Sequence, residues 1–134
     1  MYQQITLFFK MANRRKRILL VDDDEDTLTT YKLWLELNNF QVHAYSSTLE
    51  ILRDFKKDCY DLLLLNIRMP EMSGFELYRK IREIDSNVKA CFITSFEMYY
   101  SSLKEIYPDV KNFCFVQKPL SMERLLSIVT SRLH

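Results

Sequence analysis

Residues 62–65 are four consecutive leucines. Side chains along a strand alternate between two faces, so an unbroken apolar run reads as a strand buried on both. The strand runs from Tyr60 to Asn66 and is the most buried of the chain. Around it, short apolar runs alternate with amphipathic segments. Ile18-Leu19-Leu20-Val21 ends in aspartates, as a buried parallel strand should. Phe40–Tyr45 alternates like a more exposed strand, and Val88–Thr94 and Asn112–Gln117 complete a set of five. Between them, Asp24–Asn38 reads as a helix with Asp24 as its N-cap and Leu28, Tyr31, Trp34 and Leu35 on one face. Ser47–Lys57 places Leu49, Leu52 and Phe55 at helical spacing behind a serine cap. Ser73-Gly74 opens a helix to about Ile84, with Leu77, Tyr78, Ile81 and Ile84 on one face. A weaker helix is expected over Glu97–Tyr107 and a last one over Ser121–Leu133. Five strands alternating with five helices imply an α/β domain, a parallel sheet covered on both sides.

Composition narrows the function classes. The chain has 134 residues, 48% hydrophobic and 28% charged, which suits one globular domain. Residues 1–16 precede the first strand and read as an extension to a domain of 17–134. With a net charge of +1, no global field recruits nucleic acid or an anionic membrane. The basic run 13–17 reads as a solvated tail. The single glycine, Gly74, removes the P-loop and the GxGxxG turn, which need several glycines for close backbone approach to phosphate. Cys59, Cys91 and Cys114 show no metal-binding spacing and read as reduced core residues of a cytoplasmic protein. His43 and His134 are isolated and read as inert. No apolar run reaches membrane-spanning length, and the first ten residues lack the marks of a secretory signal.

In an open parallel sheet, ligands gather beyond the carboxyl ends of the strands. Those ends carry Asp22 and Asp23, Asn66, Thr94, and Lys118-Pro119. Adjacent carboxylates suit a hard cation such as Mg2+, and a hydroxyl and an ammonium beside it suit a phosphoryl group. With Leu20-Val21-Asp22-Asp23, Leu65-Asn66-Ile67-Arg68-Met69-Pro70-Glu71-Met72-Ser73-Gly74, Ile93-Thr94-Ser95 and Gln117-Lys118-Pro119 in order, the chain resembles the response-regulator receiver family over about residues 17–133. It is similar to the chemotaxis response regulator.

That resemblance implies a flavodoxin-like, doubly wound five-stranded parallel sheet of order 2-1-3-4-5 with five helices. It implies Mg2+ held by Asp23 directly, by Asp22 through water, by the backbone carbonyl of Arg68, and at residue 66. Residue 66 would be the phosphoacceptor. Thr94 would hydrogen-bond the phosphoryl group and Lys118 would pair with it. Lys118–Pro119 would be a cis peptide, and Phe115 would be the aromatic that swings inward on activation. The implied partners are a histidine kinase or phosphotransfer protein and a downstream effector, with no direct nucleic-acid or membrane contact. A homodimer could form through the 97–107 helix, the fifth strand and the last helix. No DNA-binding segment follows residue 133, so a stand-alone or truncated receiver is expected, acting as a switch rather than an enzyme.

Asn66 departs from the pattern. A carboxylate oxygen can attack phosphorus, whereas an amide oxygen is uncharged, with its lone pair drawn into resonance. The expectation is a non-phosphorylatable chain that binds Mg2+ more weakly. Because Asp22, Asp23, Thr94 and Lys118 are retained, an engineered change is favoured over a natural pseudo-receiver. Blander readings exist. Asp22-Asp23 could only cap a helix, Lys118 could be a surface lysine, and Phe96, Tyr99, Tyr100, Phe113 and Phe115 could be packing. An EF-hand fails at Thr27 and Leu33. Two other functions remain: a phosphate-independent binding module, and a haloacid-dehalogenase-type phosphatase using Asp22 and Asp24.

Overall fold

Leu62 and Leu64 turn to one face of the sheet and Leu63 and Leu65 to the other, each at most 1% exposed. A fully buried leucine contributes on the order of 1.5–3 kcal/mol, so this strand demands cover on both sides. The computed structural model describes residues 2–5, 14–95, 105, 108 and 114–133. The strands are β1 (Arg17–Val21), β2 (Gln41–Tyr45), β3 (Leu62–Asn66), β4 (Ala90–Thr94) and β5 (Cys114–Gln117). They pair in parallel in the order β2-β1-β3-β4-β5. This is the expected doubly wound, flavodoxin-like sheet.

Among the described residues, the helices that cover it are α1 (Glu25–Leu37), α2 (Thr48–Asp54), α3 (Gly74–Ile84) and α4 (Met122–Leu133). Leu28, Tyr31 and Leu35 of α1 and Leu125 and Val129 of α4 pack on the Leu62/Leu64 face. Ile51 of α2 and Leu77 and Ile81 of α3 pack on the Leu63/Leu65 face. Apart from Glu105, which is helical, the helix expected over 97–107 lies outside the described residues, as do Phe96, Tyr99, Tyr100, Phe113 and His134. No described helix is long and apolar enough to cross a membrane.

Of the two caps expected, Asp24 and Ser47, the first forms and the second does not, while Ser73 and Ser121 supply two more. Asp24 caps α1 by accepting from the Asp26 amide, and Ser73 caps α3 by accepting from the Glu76 amide. Ser121 accepts the Arg124 amide at the start of α4. Ser47 precedes α2 without capping it, and its hydroxyl turns to Glu71 instead. Helix α2 stops at Asp54, because Phe55 is extended and Asp58 takes a positive φ of 62°. Its fully buried residues are Thr48 and Ile51, with Leu52 and Phe55 packed partly buried against the core as expected, while Leu49 is 62% exposed, which corrects its place on that face. Trp34 reaches across to α4, its indole N–H donating to the Met122 carbonyl at 2.9 Å.

Two further expectations are corrected. His43 is not isolated: its Nδ1 lies 2.8 Å from the Tyr60 hydroxyl, with the rings edge to face. The cysteines are not all reduced. Cys91 and Cys114 are register partners on β4 and β5, 4.5 Å apart at Cα, and form a disulfide. Strand pairing brings them together across 23 residues of sequence, a distance that spacing alone conceals. Cys59 keeps a free thiol. Denatured without reductant, the protein will therefore titrate one thiol per chain, and three after reduction. Three thiols in the unreduced sample would refute the pairing.

Candidate functional site

β1 and β3 end side by side, with Val21 opposite Leu65 and Asn66 opposite Ile93, so the residues that follow converge at the carboxyl edge of the sheet. Asp22 continues from β1 into a nearly closed environment, 3% exposed. A buried carboxylate is tolerated only when donors surround it. Asp22 Oδ2 accepts from Lys118 Nζ at 2.8 Å, and Oδ1 accepts from the Asp24 amide at 3.0 Å. Lys118 is itself 80% covered (20% side-chain exposure), which shields the ion pair from solvent. The Lys118 amide donates to the Thr94 carbonyl at 2.7 Å, and the Lys118–Pro119 peptide is cis.

Asn66 closes the cluster. Its Nδ2 lies 2.9 Å from the Arg68 carbonyl oxygen, 3.0 Å from Asp23 Oδ1 and 3.4 Å from Asp22 Oδ1. Ionised carboxylates and a carbonyl only accept, so the amide must turn its nitrogen toward them. Its two N–H groups serve the two short contacts, and the third is a weaker, shared one. The cluster thus unites Asp22, Asp23, Asn66, the Arg68 carbonyl and Lys118. Thr94, 3% exposed, ends the neighbouring strand. Phe115 lies within an aromatic group, its ring centroid 5.6 Å from Phe92 and 6.0 Å from Phe75.

Oxygen donors from Asp22, Asp23 and Arg68 have the right chemistry for a hard cation. Asn66 does not complete that set as it stands, because its two N–H groups point at the Arg68 and Asp23 oxygens. The expected ligand role of Asn66 conflicts with this orientation. Among the described residues, no group of three or more His, Cys, Asp or Glu side chains could hold a metal ion.

Two residues outside the expected set shape the loop that delivers Arg68. Gly74 lies so close to β3 that an added Cβ would overlap the Asn66 carbonyl oxygen, and its amide donates to Ile67 at 2.8 Å. Glu71 crosses to α2 and accepts from the Thr48 amide at 3.0 Å and the Thr48 hydroxyl at 2.8 Å, with Ser47 at 3.3 Å. It thereby caps α2 from another segment. The Thr48 hydroxyl, then its amide, hold the Glu71 carboxyl below its ordinary value of 4.5. Only its place in the 67–73 loop hinted at this; the carboxylate that caps α2 lies 24 residues beyond Ser47.

The sequence profile of the response regulator receiver domain matches residues 18–130. The chain belongs to the response-regulator receiver family. Among its relatives, the response regulator protein TodT of Pseudomonas putida is 28% identical over 123 residues, 92% of this chain and 53% of that protein. The receiver protein CpdR of Brucella abortus is 38% identical over 81 residues, 60% of this chain and 68% of CpdR. In structure, the receiver resembles the non-phosphorylated HemR receiver domain from Leptospira biflexa. The TM-score is 0.78 at 25% identity, over 89% of this chain and 94% of that one. The receiver spans about half the length of TodT.

Two substitutions test how the loop is held. Gly74→Ala must displace backbone at Asn66 and is expected to destabilise the receiver by roughly 2–4 kcal/mol in urea unfolding. A loss within error would refute the close approach. Glu71 has a depressed folded value, so its contribution is whole above about pH 4.5 and is lost as pH falls through that lower value. Glu71→Gln should remove this part of the acid limb of a stability–pH profile. Superimposable profiles would show that the clamp is idle.

Proposed function

We propose that this receiver serves a two-component phosphorelay, with residue 66 at the phosphoacceptor position and its asparagine preventing phosphate capture. The observation that carries the reading is Asn66 at the end of β3, inside a cluster that otherwise retains the two aspartates and the ammonium of Lys118, with buried Thr94 ending the neighbouring strand. With a carboxylate at residue 66, an oxygen of that side chain would attack phosphorus, the imidazole of a phosphohistidine would leave, and a mixed carboxylic–phosphoric anhydride would form. Lys118 would exchange its Asp22 partner for a phosphoryl oxygen, and Thr94 would donate to another. Asp22, Asp23 and the Arg68 carbonyl would hold Mg2+ in that form, neutralising charge on the transferred group. The reading makes the chain a stoichiometric acceptor rather than an enzyme with turnover.

A histidine kinase or phosphotransfer protein upstream and an effector downstream are the partners this reading requires, within the cytoplasm. Its support for that compartment is the family, since the Cys91–Cys114 pair withdraws the argument from reduced thiols. A homodimer through the 97–107 segment, β5 and α4 belongs to the same reading. A phosphatase of the dehalogenase type would need Asp24 as a working acid. Asp24 instead accepts from the Asp26 amide and the Thr27 hydroxyl, which hold its carboxyl below the usual range.

Incubation with radiolabelled acetyl phosphate and Mg2+ separates these readings. The unchanged chain should stay unlabelled and Asn66→Asp should take up label in acid-stable, hydroxylamine-sensitive form. A folded Asn66→Asp variant that stays unlabelled would defeat the phosphorelay reading and favour a phosphate-independent binding module. Label at residue 66 of the unchanged chain would defeat the assigned role of its amide.

A further inference from the structure

We propose that Asn66 is an internal substitute for the divalent cation, so that the acidic cluster of this receiver is locked by an amide and does not need Mg2+. The inference rests on the reading of residue 66 as the acceptor position, and it concerns what that residue does to its neighbours rather than what it fails to do to phosphate.

A cation in this place would draw together the Arg68 carbonyl and the Asp23 carboxylate and would offset the repulsion between Asp22 and Asp23. Asn66 Nδ2 already makes those connections, at 2.9 and 3.0 Å, with the longer contact to Asp22 at 3.4 Å. Each is a hydrogen bond from a partly positive N–H to an acceptor-only oxygen, and the one to Asp23 is charge-assisted. Asp22 is further answered by Lys118 Nζ and by the Asp24 amide. The carboxylates of Asp22 and Asp23 and the ammonium of Lys118 leave a net charge of −1. A carboxylate at residue 66 would make it −2, which one divalent cation neutralises. With asparagine, the same cation would overshoot to +1 while Lys118 stays in place.

Charge is therefore one reason for weak Mg2+ binding, and the lock is a second, separable one. To admit the ion, the amide must turn over to present Oδ1 or withdraw. Either movement gives up both short hydrogen bonds. The lock also reaches backbone, because the Arg68 carbonyl sits in the loop whose far end is fixed by Gly74 and by Glu71. Asn66 is thus a positioning residue for that loop in the absence of metal.

The charge and the lock are distinguished by Asn66→Ala, which keeps the charge of asparagine and removes the donor. Mg2+ binding by calorimetry and thermal unfolding with and without MgCl2 should be measured on the unchanged chain, Asn66→Ala and Asn66→Asp, none of them phosphorylated. The expected order of Mg2+ affinity is Asn66→Asp, then Asn66→Ala, then the unchanged chain. The last should be at least about tenfold weaker than Asn66→Ala, a difference of about 1.4 kcal/mol. Without Mg2+, the unchanged chain should unfold at the highest temperature of the three, and its midpoint should not move when MgCl2 is added. Equal Mg2+ affinity of the unchanged chain and Asn66→Ala would overturn the lock, leaving charge as the whole cause. So would an Asn66→Ala variant at least as stable as the unchanged chain in metal-free buffer. Because no phosphodonor is present, these outcomes do not depend on whether Asn66→Asp can be labelled.

Discussion

A carboxylate buried where strands end must find its donors from the surrounding chain, and Asp22 finds them in three other places. The Asp24 amide comes from the turn into α1, the Asn66 amide from the end of β3, and the Lys118 ammonium from the residue after β5. Its own amide donates to Tyr45 at the end of β2. One side chain and its peptide therefore connect four strand ends, which is how a sheet assembled from distant segments comes to have a single functional edge. The order β2-β1-β3-β4-β5 places β1 next to β3, so this convergence needs no long side chain except that of Lys118.

Much of this was legible because the periodicity was unambiguous. Four leucines in a row could satisfy only a strand covered on both sides, and the acid pair, the asparagine, the threonine and the Lys-Pro each ended a strand. What the sequence concealed were relations between segments. Leu49, Leu52 and Phe55 have helical spacing, and Leu52 and Phe55 do pack against the core, but α2 fully buries Thr48 and Ile51 and leaves Leu49 in solvent. Ser47 has the chemistry of a cap, yet Glu71 arrives from the 67–73 loop and takes the first amide of α2. Cys91 and Cys114 look unrelated until register places them opposite each other. The direction in which the Asn66 amide points was equally hidden, since only the neighbouring oxygens decide it.

Family membership and the competence of a particular pocket are different properties. The sheet order and core packing that bring the site's polar groups to one edge do not depend on whether residue 66 is asparagine or aspartate, which are nearly equal in size; the backbone that the amide touches directly is the loop carrying the Arg68 carbonyl. Exchanging one residue for the other would therefore leave the architecture alone and change the charge at the edge of the sheet. Fold conservation with altered chemistry is expected wherever a site is grafted onto strand ends rather than built into the core.

The contact between Trp34 and α4 carries a practical consequence. Trp34 is the chain's single tryptophan, and its indole hydrogen-bonds to Met122, three residues past the Lys118–Pro119 peptide. Indole emission responds to the loss or gain of such a bond and to the solvation that accompanies it. The chain thus carries its own optical gauge, mounted on α1 and reading the segment that anchors Lys118. Movement of that segment can be followed in solution without attaching a dye.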